Sequence, residues 1–151
     1  ARTRAEIQQE LAQFESRIAA GIELAVLETV QTRYAKADAL LDQVLTWNGD
    51  DPLAWWQKAV VRRLGSLQEE GEEDAARMNA HFLSPLEPAL RAEAFLSMEQ
   101  THGKDPHPLV EPLTDNPENL VEVACLYIEH GFYVDAGRWI DEALRHKDLV
   151  I

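Results

Sequence analysis

The feature that most constrains the fold is a recurring order of bulky and small apolar residues at helical spacing. This order is clearest between residues 117 and 147. Nine positions follow it: Leu120, Val123, Ala124, Tyr127, Gly131, Tyr133, Ala136, Ile140 and Ala143. Intervals of three and four residues place the apolar side chains on one face of a helix, with a break at the glycine. Small residues among large ones let two short helices approach closely. The order therefore predicts an antiparallel helix pair.

Parts of the same order occur earlier in the chain. The part of the order that belongs to the second helix of the pair recurs at Tyr34, Ala37, Leu41, Val44 and Leu45. Part of the matching first helix recurs at Leu24 and Ala25. A third, stretched copy is formed by Trp55, Ala59 and either Ala75 or Ala76. Recurrence of one helix pair along a chain is typical of helical repeat arrays.

The order resembles the tetratricopeptide repeat, in which a small residue on each helix allows close packing. Three further segments resemble the helical-repeat region of large bacterial proteins that begin with a β-rich, mutarotase-like domain of unknown function: Ser84-Pro85-Leu86, Arg91-x-Glu93-x-Phe95-Leu96 and Asn119-Leu120-x-Glu122-x-Ala124. This resemblance implies a bacterial, multidomain parent protein associated with carbohydrate. It transfers no catalytic residue to this chain.

The predicted fold is all-α, with about eight helices arranged as antiparallel hairpins in a tetratricopeptide-like solenoid. One domain over residues 1–151 would contain a leading helix (1–20, ended by Gly21), two helix pairs (21–83), a degenerate unit with a proline-rich loop (84–116) and a last pair (117–151). Asp51 and Pro52 predict the start of a helix that runs to about Gly65. Because the chain ends on three apolar residues, we interpret it as a piece of a longer protein.

The charge balance disfavours two classes of partner. The formal net charge is −13, whereas a nucleic-acid-binding protein needs a basic surface. Anionic membrane surfaces are disfavoured for the same reason, and no apolar run approaches the ~20 residues that span a bilayer. The single cysteine, Cys125, cannot form an internal disulfide, so a cytoplasmic location is expected.

In a solenoid, the first helices of successive pairs line a concave groove that receives a peptide or another domain. Alignment of the chain with the repeat order, which we call the repeat frame, predicts which residues face this groove. From one helix they are Trp56, Gln57, Val60 and Arg63, and from a later helix they are Glu122, Cys125 and Glu129. Trp55 is expected to pack in the core, which would turn Trp56 outward. The family's carboxylate-clamp variant uses Lys and Asn at such positions, so acids here favour a basic or neutral partner instead.

No catalytic residue, metal ligand or cofactor site is predicted. The closest approach to a metal motif, His102-x-x-Asp105-x-His107, lies in a proline-rich loop rather than on one helix face. There is no nucleophile-elbow motif and no phosphate-binding glycine loop.

The leading functional hypothesis is a non-catalytic scaffold that binds a protein or peptide partner or the parent protein's own domains. The alternatives are an accessory helical domain of a carbohydrate-active enzyme and the sensor arm of a bacterial regulator. Dimerisation through the C-terminal helix is also expected, because Trp139, Ile140, Ala143 and Leu144 give that helix two apolar sides.

Overall fold

A computed structural model describes residues 3–67, 87–101 and 117–145, and within these ranges every regular element is a helix. The helices are α1 (Arg4–Val30), α2 (Tyr34–Trp47), α3 (Pro52–Leu64), α4 (Glu87–Thr101), α5 (Pro117–Glu129) and α6 (Tyr133–Leu144). The all-α prediction is thus confirmed for the described part of the chain. None of these six helices is both long enough and apolar enough to span a bilayer.

Two helix starts are explained by local side-chain chemistry. At α1, the Thr3 hydroxyl accepts from the Glu6 N–H, and the Glu6 carboxylate accepts from the Thr3 N–H, which completes a capping box. At α3, the Asp51 carboxylate accepts from the N–H groups of Leu53 and Ala54, and Pro52 occupies the first turn. The start predicted at Asp51–Pro52 is therefore confirmed.

Gly21 does not end a helix, contrary to the sequence-based expectation. It lies inside α1, which is continuous over 27 residues. A Cβ atom at this position would come within 2.5 Å of Val44 Cγ2 on α2. The glycine thus permits a close helix crossing, which offsets its low helix propensity.

Consecutive helices pack on one another, with α1 on α2, α2 on α3 and α5 on α6, and α4 lies between α3 and α5. The core joins all six helices and includes Ala25, Leu41, Trp56, Leu90, Tyr127 and Trp139, with at least one residue from each helix. This arrangement brings the second half of the chain against α3.

Three helices end in the same kind of turn. The residue after the helix C-cap has a positive φ angle at Thr32 (59°), Ser66 (55°) and Gly131 (82°). The next N–H then bonds back to a carbonyl five residues earlier: Arg33 to Glu28, Leu67 to Arg62 and Phe132 to Tyr127. This pairing is that of a Schellman turn.

About eight helices were predicted, whereas the described residues contain six. The first two predicted helices form the single helix α1, and the part of the stretched third copy around Ala75 and Ala76 lies outside the described residues. The described residues also exclude the Ser84-Pro85-Leu86 segment, His102, Asp105, His107 and the last apolar residues 149–151.

Candidate functional site

The four groove residues predicted on α3 are buried. Trp56, Gln57 and Val60 have no exposed surface, and Arg63 retains only 6%. They do not line an open groove, because Trp56 and Arg63 contact the second half of the chain and Gln57 donates to the Ile22 carbonyl of α1 at 3.4 Å. The expected roles of the two neighbouring tryptophans are also reversed, since Trp55 is only half-buried.

Trp56 lies at the centre of an aromatic cluster. Its ring meets those of Tyr127, His130 and Phe132 edge to face, at centroid distances of 5.0, 5.3 and 5.6 Å. Trp55 instead lies at the α2–α3 turn, where its indole N–H donates to the Gly49 carbonyl at 2.6 Å. Adjacent helical residues point about 100° apart, so only one of the two can enter this cluster.

Arg63 is the centre of a buried ionic network. Its Nε and Nη2 atoms donate to the two carboxylate oxygens of Glu93 on α4, at 2.6 and 3.1 Å. Nη2 also donates to Asp135 Oδ2 on α6 at 2.6 Å. The Tyr127 hydroxyl on α5 donates to Glu93 Oε2 at 2.7 Å. One guanidinium thus connects α3 directly with α4 and α6, and Glu93 connects this network to α5.

Burial and charge act in opposite directions on this network. Burial raises the pKa of Glu93, while the positive charge of Arg63 and its hydrogen bonds to Glu93 act to lower it. Burial is the largest single influence on the Arg63 pKa and acts to lower it, but the charges and hydrogen bonds of Glu93 and Asp135 together outweigh burial and raise that pKa. Burial, reinforced by Glu93, raises the pKa of Tyr127 well above its ordinary value. The geometry supports a structural clamp, since all four side chains are almost completely enclosed.

A second charged cluster joins α2 to α3. Lys58 Nζ lies 2.7 Å from Asp38 Oδ1 and 2.6 Å from Asp42 Oδ1, and Arg62 Nη1 lies 3.3 Å from Asp38 Oδ2. Lys58 is buried, whereas Asp42 is mostly exposed. These ion pairs neutralise acidic residues of α2 and fix the helix crossing.

The three groove residues predicted on α5 are exposed. Together with two exposed apolar neighbours they form what we call the α5 surface: Val121, Glu122, Cys125, Ile128 and Glu129. Their intervals of one, three, three and one residues place them on one side of the helix. They do not share a groove with the predicted α3 residues, which are buried. A binding role for the α5 surface stays a prediction.

The C-terminal helix exposes apolar side chains, as the dimer hypothesis requires. Val134 is 88% exposed and Leu144 is 60% exposed. Dimerisation through this end itself stays a prediction.

The partners of Arg63 are not evident from the sequence. Glu93 and Asp135 are 30 and 72 residues away from it, so no local motif joins them. One signal was present: Arg63 follows Trp56 and Val60 at helical spacing, and a charged residue on an apolar stripe requires a buried counter-charge.

Among the described residues, no group of three or more His, Cys, Asp or Glu side chains is placed to hold a metal ion. In comparisons with known proteins, no protein-family model and no curated sequence matches this chain.

Proposed function

We propose that this chain is a tetratricopeptide-like helical scaffold without catalytic activity, and that it binds a protein or peptide partner or packs against other domains of a longer protein. The observation that carries this proposal is the recurrence of one turn. Thr32 and Ser66, two of the residues with a positive φ angle, are 34 residues apart, which is the length of one tetratricopeptide repeat.

The small residues around these turns support the same repeat frame. An alanine lies seven residues before each of the three turns, at Ala25, Ala59 and Ala124. Another lies five residues after two of them, at Ala37 and Ala136, and both are buried. Alanines at these positions let the two helices of a pair approach closely.

The α5 surface is the part of this frame best suited to bind a partner. It combines two acids with three less polar side chains, and all five are exposed. An apolar patch with an acidic border favours a basic or neutral peptide segment. The net charge of −13 acts in the same direction.

Selection of peptides from a random library by the purified protein tests this proposal. We expect basic or neutral peptides, with binding weakened several-fold by Glu122→Gln or Glu129→Gln and by added salt. Asp141→Asn, which removes one exposed acid from α6, is the matched control and should leave binding unchanged.

Two results would contradict the proposal. One is selection of peptides whose binding ignores both α5 substitutions. The other is turnover of glycosides, esters or phosphates that survives repurification and is lost when a single acidic residue is replaced.

A further inference from the structure

One face of α1 continues beyond the helix that covers it. At Gly21, a Cβ atom would lie 2.5 Å from Val44 Cγ2 and 3.8 Å from Trp47 Cζ3. The guanidinium of Arg17 lies 5.4 Å from the centroid of the Trp47 ring. Because Trp47 is the last residue of α2, α2 ends beside this part of α1, and residues 4–16 extend past it.

The extending segment carries apolar side chains on the face that α2 covers further along. Phe14 and Ile7 precede Gly21 by 7 and 14 residues, and a spacing of seven returns to the same side of a helix. Ile7 is 51% exposed and Phe14 is 36% exposed. The face that is buried at Gly21 and Ala25 is therefore apolar and open at Phe14 and Ile7.

Local chemistry explains why this segment is helical, and its uncovered apolar face explains why it would bind another helix. Its start is set by the capping box between Thr3 and Glu6. A helix of this length gains little stability on its own in water, and burial of an amphipathic face supplies most of the stability of such helices in proteins. A second helix that continues the line of α2 would provide that burial.

Charge selects the kind of helix. Glu15 lies at one border of the apolar face and is exposed. The chain as a whole has a formal net charge of −13. A net charge this far from zero opposes the association of two copies and attracts a basic partner, so a second copy of this chain is a poor occupant.

We infer that residues 4–16 of α1 dock an amphipathic helix of a partner protein, with Lys or Arg bordering its apolar stripe. The apolar contact gives affinity, and attraction to Glu15 and to the acidic chain selects basic over acidic helices. This site is separate from the α5 surface and does not depend on it.

Binding of two synthetic peptides to the full chain tests this inference. Each peptide has roughly 18 residues, enough for a helix to form on binding, with Leu at positions a and d of a heptad. One carries Lys at e and g, and the other carries Glu. Fluorescence polarisation should show that the Lys peptide binds and that the Glu peptide does not.

Substitutions then locate the site. Phe14→Ser should weaken binding of the Lys peptide by about tenfold or more, because it removes a large apolar contact. Glu15→Gln should weaken it by about two- to threefold. Glu23→Gln removes an exposed acid from another side of the same helix and should have no effect, as should Glu122→Gln. Circular dichroism checks that each variant keeps its helix content.

Three outcomes would overturn the inference. The first is no binding of the Lys peptide, and the second is binding that Phe14→Ser leaves unchanged. The third is self-association of the wild-type chain that Phe14→Ser abolishes, because a second copy would then occupy the face. Dimerisation lost in Val134→Ser but kept in Phe14→Ser would leave the α1 site intact and support a separate C-terminal contact.

Discussion

The indole ring of Trp56 meets the phenol ring of Tyr127 edge to face, with centroids 5.0 Å apart and planes at 84°. This geometry places the positive edge of one ring against the negative face of the other. It also joins α3 directly to α5, although the two helices are far apart in the sequence.

Replacement of the two neighbouring tryptophans should give unequal losses of stability. Trp56→Ala empties a fully buried site, so we expect a loss of about 3–5 kcal/mol. Trp55→Ala removes a half-buried ring and one hydrogen bond, and about 1–2 kcal/mol is expected. Urea unfolding of both variants measures the difference. Equal losses would show that Trp56 is not the core residue.

Arg63→Met should destabilise the protein by about 3–5 kcal/mol, because it leaves Glu93 and Asp135 buried without their counter-charge. The double variant Arg63→Met with Glu93→Met should lose less than the sum of the two single losses. Arg145→Met removes an exposed ion pair with Glu142 and should cost at most ~0.5 kcal/mol. Additive losses in the double variant would contradict the buried network.

The raised pKa of Tyr127 predicts loss of stability at alkaline pH. Above about pH 10 an unfolded tyrosine loses its proton, whereas the folded protein keeps the proton on Tyr127. The stabilising contribution of the Tyr127 hydroxyl is therefore complete below about pH 10 and is lost as the pH rises further. The stability difference between wild type and Tyr127→Phe should shrink over that range. A phenolate absorbance from Tyr127 near pH 10, before unfolding, would contradict this prediction.

Two glycines close together in sequence should respond in opposite directions to alanine. Gly131 has a φ angle of 82°, and a Cβ there would lie 2.8 Å from Val30 Cγ2, so Gly131→Ala should cost about 1–2 kcal/mol or more. Gly137 lies inside α6 with nothing within 4 Å of its Cβ position. Gly137→Ala should stabilise the protein by up to ~1 kcal/mol. Thermal melts of the two variants should therefore shift in opposite directions.

Ala136→Leu tests the close helix approach at the last pair. Ala136 is 1% exposed, so a larger side chain should destabilise the protein by about 1–3 kcal/mol through overpacking. Ala39→Leu, at an exposed position of α2, is the control and should have little effect. Superimposable denaturation curves for wild type and Ala136→Leu would show that this alanine is not at a close contact.

Local chemistry explains which parts of the fold the sequence could predict. The starts of α2, α3, α5 and α6 follow from apolar periodicity, from the Asp51 cap and from prolines at the first helical position. Two of the three turns place Thr32 and Ser66 at positive φ angles. Neither threonine nor serine favours a positive φ angle, so these two residues do not signal the turns.

The binding surface was harder to predict, for a non-local reason. Alignment with the repeat placed Trp56, Gln57, Val60 and Arg63 on one side of α3, on the assumption that this side stays open. Aromatic contacts with Tyr127 and Phe132 and ion pairs with Glu93 close it. Only the three-dimensional structure brings these residues together, since each pair is separated by 30 residues or more.

The Arg63 clamp also bears on how this protein unfolds. In arrays where each helix pair touches only its neighbours, unfolding can proceed one unit at a time. Arg63 instead contacts Asp135, 72 residues away, together with Glu93 on the helix between them. Opening α6 would expose charges that α3 and α4 hold, so α3 to α6 should lose their amide protection in hydrogen exchange as one cooperative unit. The extending half of α1 lies outside this unit and would exchange first.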